Sequence, residues 1–476
     1  MNRDRRIYLL SPQDLKQETI AVAFAKTSRS PKPFDEIAAE LNDDRAARFH
    51  EKWVVGYGHA SVAEHAVLHI ALENVSRLAI ETIEGNRLAS YTEKSTRYQQ
   101  WDRDAYYLPE EIRDSCYEEE FIAICQTLFQ TYQATIPVVQ DWLAEKFPQE
   151  KAESAKGFQR RVRAAAADVC RFLLPAASLA NVGVTINARA LEYAICKMLS
   201  SPLSEVRAIG EQLREVGQRE VPTLIKYADC NDYLVGVRDK LYRRQWSGKS
   251  NSSVKDFTLI DWDEDGQEKI LAGLLFRFDP ENGFKDALDH VRSLSIQDKQ
   301  ELAATIMADR NRFDQPLREF EYARMTFEVI MDQGAYFEFK RHRMMTQTVG
   351  PLTAALGYAI PAAFDEAGCL DAYQEAMQGA AELYRKLAAG KMDAASYIVP
   401  NGFNRRVAFT LNLREAFHLC RLRAADNAHF SIRRVALQMA ESIGEIYPLF
   451  APYLEVPKHQ TSQEISQTYF YSLNSA

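Results

Sequence analysis

The sequence predicts an α+β protein built from two homologous halves, residues 1–245 and 254–476, joined by a linker at 246–253. Three observations predict it. The chain has 476 residues, more than one ordinary hydrophobic core organises. Two openings recur, "RRIYLLSPQDLKQETIAVAFAKTSRSP" at the start and "VKDFTLIDWDEDGQEKILAGLLFRFDP" at 254–280. In each, β-branched and aromatic residues of strand character lead into an acidic turn, then into apolar residues at helical spacing. Two further pairs of blocks match in the same order, which three chance similarities would not do.

Taken along the chain, the first of those pairs is "HAVLHIALENVSRLAIETIEGNRLAS" (65–90) against "EYARMTFEVIMDQGAYFEFKRHRMMT" (321–346), aligned without gaps. The apolar run ahead of "GNR" and "RHR" reads as helical. Residues 110–170 read as mostly helical, as do 280–315 and 365–390. The last pair is "CRFLLPAASLANVGVTINARALEYAI" (170–195) against "ASYIVPNGFNRRVAFTLNLREAFHLC" (395–420). Pro175 and Pro400 stand twelve residues before Asn187 and Asn412, and Asn-x-Arg opens a long helix in both. Between the halves, "SGKSNSS" (247–253) has the Gly/Ser/Asn character of a linker.

Composition narrows the classes of function. Apolar residues make up 46% and charged residues 26%, ordinary for a globular protein. A net charge of −8 offers no broad basic field for nucleic acid, although a local arginine cluster can still hold a small anion. The opening "MNRDRRIYLLSPQD" lacks the apolar core of a signal peptide, and no run approaches the roughly 18–20 apolar residues that span a bilayer. The seven cysteines are scattered without CxxC spacing. These features predict a cytoplasmic, reduced protein without a membrane or nucleic-acid partner. There is neither GxGxxG nor a P-loop, so those nucleotide folds are not indicated.

The chemistry-bearing motifs are "GHASVAEH" (58–65), "SRLAIETIEGNRLASYTEKSTRY" (76–98), "RFLLP" (171–175) and "NARALEYAICKM" (187–198) in the first half. The second half has "RHR" (341–343), "NLREAFHLCRLR" (412–423) and "IR" (432–433). Together these resemble the flavin-dependent thymidylate synthases, whose signatures are GHxSxxEH, RHRxxSxNExSxRY, RxxLP and NxRxxxxFLxLR. The resemblance covers both halves nearly end to end. It implies that each half is a small, mostly antiparallel sheet packed with long helices.

The departures from the family pattern are complementary. The first half has Gly85-Asn86-Arg87 in place of Arg-His-Arg, and Met198 where the family has Arg. The second half keeps Arg341-His342-Arg343 and Arg423, but has "TQTVGPLTAALGY" for the Ser/Arg loop. It also has Ser396 opposite Arg171 and Gln315 opposite His59. Each half lacks what the other keeps, so the two halves are expected to pair into composite sites.

Family roles carry over residue by residue. Ser95, Arg97 and Arg171 are implied to hold the 5′-phosphate of dUMP, with Glu93 near them; guanidinium groups make bidentate, charge-assisted bonds to phosphate. The bland reading of Arg97 is a salt bridge to a nearby acid. Arg341, His342 and Arg343 would repel one another at an element's end without an anion beside them. The resemblance places them at the flavin, with Arg341 also reaching the nucleotide. The bland reading of Arg343, and of Arg87 opposite it, is a structural ion pair. Asn412, Arg414 and His418 are implied to touch flavin, and Arg423 the uracil edge, where a planar fork stabilises developing negative charge. Arg341 and Arg423 are thus the catalytic candidates. The bland reading of His418 is a satisfied core histidine. His59, Ser61 and Glu64 are implied to wrap the cofactor from a neighbouring protomer. His65 and His69 continue at metal-like spacing, but no metal is implied.

The implied activity is reductive methylation of dUMP to dTMP using FAD, with methylenetetrahydrofolate and NADPH as co-substrates. Two alternatives stay open: a flavin enzyme acting on another pyrimidine nucleotide, and a non-catalytic synthase-like binding or regulatory protein. Members of the family are homotetramers, so a duplicated chain most simply forms a homodimer of pseudo-tetrameric shape.

Overall fold

The computed structural model describes residues 10, 12–28, 30–41, 43–56, 60–243, 256–311, 313–390 and 392–475. The linker expected at 246–253 lies outside them, as do His59 and the strand expected at the very start. The chain divides into two compact units. One takes described residues within 1–94, 106–116 and 177–249; the other takes those within 95–105, 117–176 and 250–476. The units therefore interleave along the sequence: the Ser95–Arg97 loop and Arg171 fold with the second half.

In the first unit, β1 (Val67–Ser76), β2 (Ala89–Glu93) and β3 (Leu179–Asn187) form an antiparallel sheet in the order β1-β3-β2. Alternate residues Leu68, Ile70 and Leu72 of β1 and Ala180, Val182, Val184 and Ile186 of β3 are buried, the period-2 pattern of a half-covered sheet. Register shifts between Leu72 and Val75, where Asn74 takes a positive φ of 54° and its N–H bonds Asn181 Oδ1 at 3.0 Å. Helices Ala188–Leu199 and Ser204–Glu220 pack together. Leu191, Ala194, Ile195 and Met198 line the buried stripe of the former. Gly210 lets the second helix come close: a Cβ there would meet Met198 Cβ at 3.0 Å.

In the second unit, β4 (Phe257–Trp262), β5 (Arg324–Asp332), β6 (Thr346–Val349) and β8 (Asn404–Asn412) make an antiparallel sheet ordered β4-β5-β8-β6. A ribbon of β7 (Tyr358–Pro361) with β9 (Phe470–Ser475) stands beside it in the same unit. The opening read at 254–280 is present as β4, an acidic turn and the helix Gly266–Phe278. The helical regions are present as Glu118–Lys146, Ala155–Cys170, Phe284–Ser293, Ile296–Met307 and Leu370–Ala389. Phe339 packs edge-on against Phe409, with centroids 4.7 Å apart, and Phe409 stacks on Phe327 at 5.5 Å. Aromatic contacts thus seat the helix Gln333–Phe339 on the sheet.

One expectation is corrected. The apolar run ahead of each motif is a strand followed by a short helix, β1 into Arg77–Ile83 and β5 into Gln333–Phe339. The switch is made by a capping side chain. Ser76 Oγ accepts from Ala79 N at 2.9 Å, and Asp332 Oδ1 from Ala335 N at 2.8 Å. Asn187 and Asn412 do the same for the helices they open, each at 2.9 Å. In all four cases the strand stops because a polar side chain satisfies a helical N–H.

Candidate functional site

The second unit gathers the predicted arginines around one carboxylate. Glu338, on the last turn of Gln333–Phe339, accepts from Arg171 Nη2 at 3.3 Å through Oε1 and from Arg423 Nη1 at 3.1 Å through Oε2. Arg171 reaches it from the turn after Ala155–Cys170, and Arg423 from the end of Leu413–Arg423. Burial alone would raise the Glu338 carboxyl, but the guanidinium groups of Arg171, Arg423, Arg97 and Arg341 outweigh it and hold it below the usual carboxylate range. The four arginines thus stand within electrostatic reach of one anion. For Arg341 that anion offsets the repulsion expected within the motif, and it belongs to the protein.

Arg97 sits on a tight turn, its N–H bonded to Ser95 Oγ at 3.2 Å. Its guanidinium is bidentate to Asp168, with both bonds at 2.8 Å, and donates to the Asn427 carbonyl at 3.2 Å. Burial opposes its charge, and Asp168 outweighs burial, so Arg97 stays firmly cationic. The bland salt-bridge reading of Arg97 is therefore present in the structure. Arg171, almost fully buried, also donates to Thr96 Oγ1 at 3.4 Å.

His342 is buried between Arg423 and Glu415. Arg423 Nε, which can only donate, lies 3.0 Å from His342 Nε2, so Nε2 accepts and the proton sits on Nδ1. Nδ1–H donates to Glu415 Oε1 at 3.0 Å. Burial first, then Arg423, lowers the imidazole's proton affinity, and the ring is neutral. His418 meets it edge-on at 5.5 Å, so His418 and Arg423 both face His342. Burial also lowers Arg423, with Arg341 and Arg97 adding to it and Glu338 opposing. Arg341 is exposed and Arg343 half-buried.

Other predicted residues lie elsewhere. Asn412 spends its side-chain oxygen on the helix cap. Arg414 points to Glu321 at 3.0 Å and the Pro316 carbonyl at 2.9 Å. Glu93 belongs to the first unit, in a buried ion pair with Arg77. Glu64 pairs there with Arg189, and Ser61 lines a cavity of about 590 Å³ with Phe24, Lys32 and His65. Glu338, Asp168, Glu415 and Asn427 were missed. Only Glu338 carried a usable signal, an acid three residues ahead of Arg341 on an otherwise apolar helix.

A cavity of about 560 Å³ opens beside Arg97 in the second unit, lined also by Trp142, Lys146, Arg161, Phe430 and Tyr469. Phe430 stacks on Tyr469 at 5.1 Å and on Phe172 at 5.9 Å. His429, which caps the following helix, donates to the Asp168 carbonyl at 2.9 Å, bracing the residue that holds Arg97.

The residues aligned with these in the opposite half make structural contacts. Met198, opposite Arg423, is core; Asn86, opposite His342, is buried and donates to the Ile83 carbonyl at 2.9 Å. Ser396, opposite Arg171, donates to the Leu352 carbonyl at 2.7 Å and pins the loop that replaces the Ser/Arg motif.

An α+β fold of small antiparallel sheets and long helices, carrying an arginine cluster around a neutral histidine, is the class of protein the coordinates define. A family model described as "thymidylate synthase complementing protein" matches residues 10–223 and 258–449, and the chain belongs to that family. It is 32% identical to a UPF0159 protein of Chlamydia muridarum, over 87% of this chain and 82% of that one. It is 30% identical to a flavin-dependent thymidylate synthase of Sulfolobus acidocaldarius, over 48% of this chain and 77% of the relative. A solved structure, the UMP/dUMP methylase PolB of Streptomyces cacaoi bound with 5-Br dUMP, matches 42% of this chain and 94% of its own at 18% identity, with a TM-score of 0.34. Among the described residues, no helix is long and apolar enough to cross a membrane.

Proposed function

We propose that the chain is a flavin-dependent methyltransferase that converts dUMP to dTMP, taking the one-carbon unit from methylenetetrahydrofolate and reducing equivalents from NADPH. Family membership and the flavin-dependent thymidylate synthase relatives support the reading. The observation that carries it is the meeting of Arg171 and Arg423 on Glu338, with Arg97 and Arg341 within reach. That Arg171 and Arg423, far apart in the sequence, meet on one carboxylate supports a composite site of two diverged copies.

The donor set suits a flavin dinucleotide. Arg341, Arg343 and His418 supply cationic and hydrogen-bonding groups next to a neutral, oriented imidazole, a set that matches a diphosphate and a polar ring edge. When bound, the flavin would supply the hydride chemistry. The chain's own residues bind and orient. Arg97 and Ser95 face the nucleotide's phosphate, while His342 fixes the plane of the Arg423 fork through Nε. Arg423 Nη2 has no partner among the described residues and can be offered to a pyrimidine carbonyl. Ser61 and Glu64 serve the cofactor from a neighbouring protomer, in a homodimer with one FAD per chain.

The test is an absorbance spectrum of the purified protein followed by a dUMP titration. Flavin bands near one FAD per chain, perturbed by dUMP, support the proposal; a colourless protein that binds no dUMP sinks it and favours a binding or regulatory role.

A further inference from the structure

Arg423 is aimed by two contacts made at different nitrogens. Nη1 donates to Glu338 Oε2 at 3.1 Å, and Nε donates to His342 Nε2 at 3.0 Å. One bond alone leaves a planar fork free to pivot; two fix its plane and the direction of Nη2. The His342 contact exists in one tautomer only. A neutral imidazole has one donor and one acceptor, so a bare Nε2 requires the proton on Nδ1, and a buried N–H requires an acceptor. Glu415 Oε1, 3.0 Å from Nδ1, is that acceptor. Glu415 and Arg423 stand eight residues apart on Leu413–Arg423, about 12 Å along its axis, and the ring of His342 bridges the interval. The surroundings of the ring are already fixed. Gln347 Nε2 donates to the His342 carbonyl at 3.0 Å, the His342 N–H donates to the Phe339 carbonyl at 3.1 Å, and Asn412 holds the Glu415 N–H. The orientation of the imidazole is the freedom that remains, and Glu415 removes it.

We propose that Glu415 is a positioning residue for recognition of the base: by accepting from Nδ1–H it keeps Nε2 of His342 bare for Arg423, and so aims the Arg423 fork at the pyrimidine edge. The proposal rests on the reading above in which Arg423 meets the pyrimidine, and goes beyond it by naming a residue that acts on the nucleotide through two others.

The experiment is calorimetric titration of the full chain, with FAD added, using dUMP and 2-deoxyribose 5-phosphate, which carries the phosphate but no base. Three proteins are compared: the wild type, Glu415→Leu, which removes the acceptor, and Glu415→Gln, whose amide oxygen still accepts from Nδ1–H. The expected result is that the dUMP-to-deoxyribose-phosphate affinity ratio falls about tenfold in Glu415→Leu, through weaker dUMP alone, and stays within about threefold of wild type in Glu415→Gln. A purely structural role for Glu415 would weaken both ligands alike and leave the ratio unchanged; that outcome overturns this proposal and leaves the proposed function standing. A ratio as low in Glu415→Gln as in Glu415→Leu overturns it too. Binding of neither ligand to the wild type overturns both. Should Glu415→Leu fail to fold, nitrogen-15 shifts of the wild-type imidazoles decide, with His342 assigned by the signals missing from His342→Gln. A proton on Nδ1 supports the proposal, and a proton on Nε2 overturns it.

Discussion

Arg97 shows how far a single residue's role can be read in advance. Its sequence neighbours point to an anion, and it is found on an anion, Asp168. Substrate phosphate and internal acid recruit the same fork geometry, so motif and pairing do not conflict. Arg97→Ala is expected to abolish detectable dUMP binding by calorimetry; unchanged affinity would show that Arg97 serves only Asp168. Arg341→Ala is expected to lower flavin content and dUMP affinity together, read from the flavin absorbance ratio and the same titration. Glu93 teaches the opposite lesson. Its carboxylate is almost fully buried with Arg77, and breaking a buried pair typically costs about 3–5 kcal/mol. Glu93→Ala should therefore lower the denaturation midpoint sharply, whatever it does to binding. Missed residues such as Glu415 and Asp168 had no sequence signal: a lone acid on a helix reads as solvated until its partner is known.

At the scale of elements, the recurring device is a strand, a polar cap and a helix. Asn187 and Asn412 perform the same capping bond in the two units, yet only Asn412 holds the N–H of Glu415, the residue that orients His342. Alanine at either position should cost about 1 kcal/mol in urea denaturation. Only Asn412→Ala should also loosen flavin, by a few-fold in a fluorescence titration; equal loosening by Asn187→Ala would detach the cap from the site. The period-2 runs of β1 and β3 were legible, but the switch from strand to helix inside an apolar run was not. Apolar residues satisfy both periods there, and the caps Ser76 and Asp332 arbitrate.

For the molecule as a whole, buried neutral imidazoles set the pH response. Burial lowers His342, His429 and His50 below the ordinary imidazole value of about 6.5, so the unfolded chain takes up protons that the native state refuses. Stability is then fully present above that value and falls as pH drops through it, by about 1.4 kcal/mol per pH unit for each ring held neutral. Glu338, also depressed, is lost in the same direction at lower pH. Melting temperatures from pH 8 to pH 5 should decline, and His429→Gln should flatten the decline; a flat wild-type profile would contradict the neutral assignments. Sequence by itself determined the fold class, the matching blocks, the helices that Asn187 and Asn412 open and the identity of the arginines, because periodicity and charge are local properties. Tertiary structure alone decided that residues 95–105 and 117–176 fold with the second half, and that Glu338 is the anion its arginines share. Both depend on which distant segments exclude water together, and no local pattern encodes that.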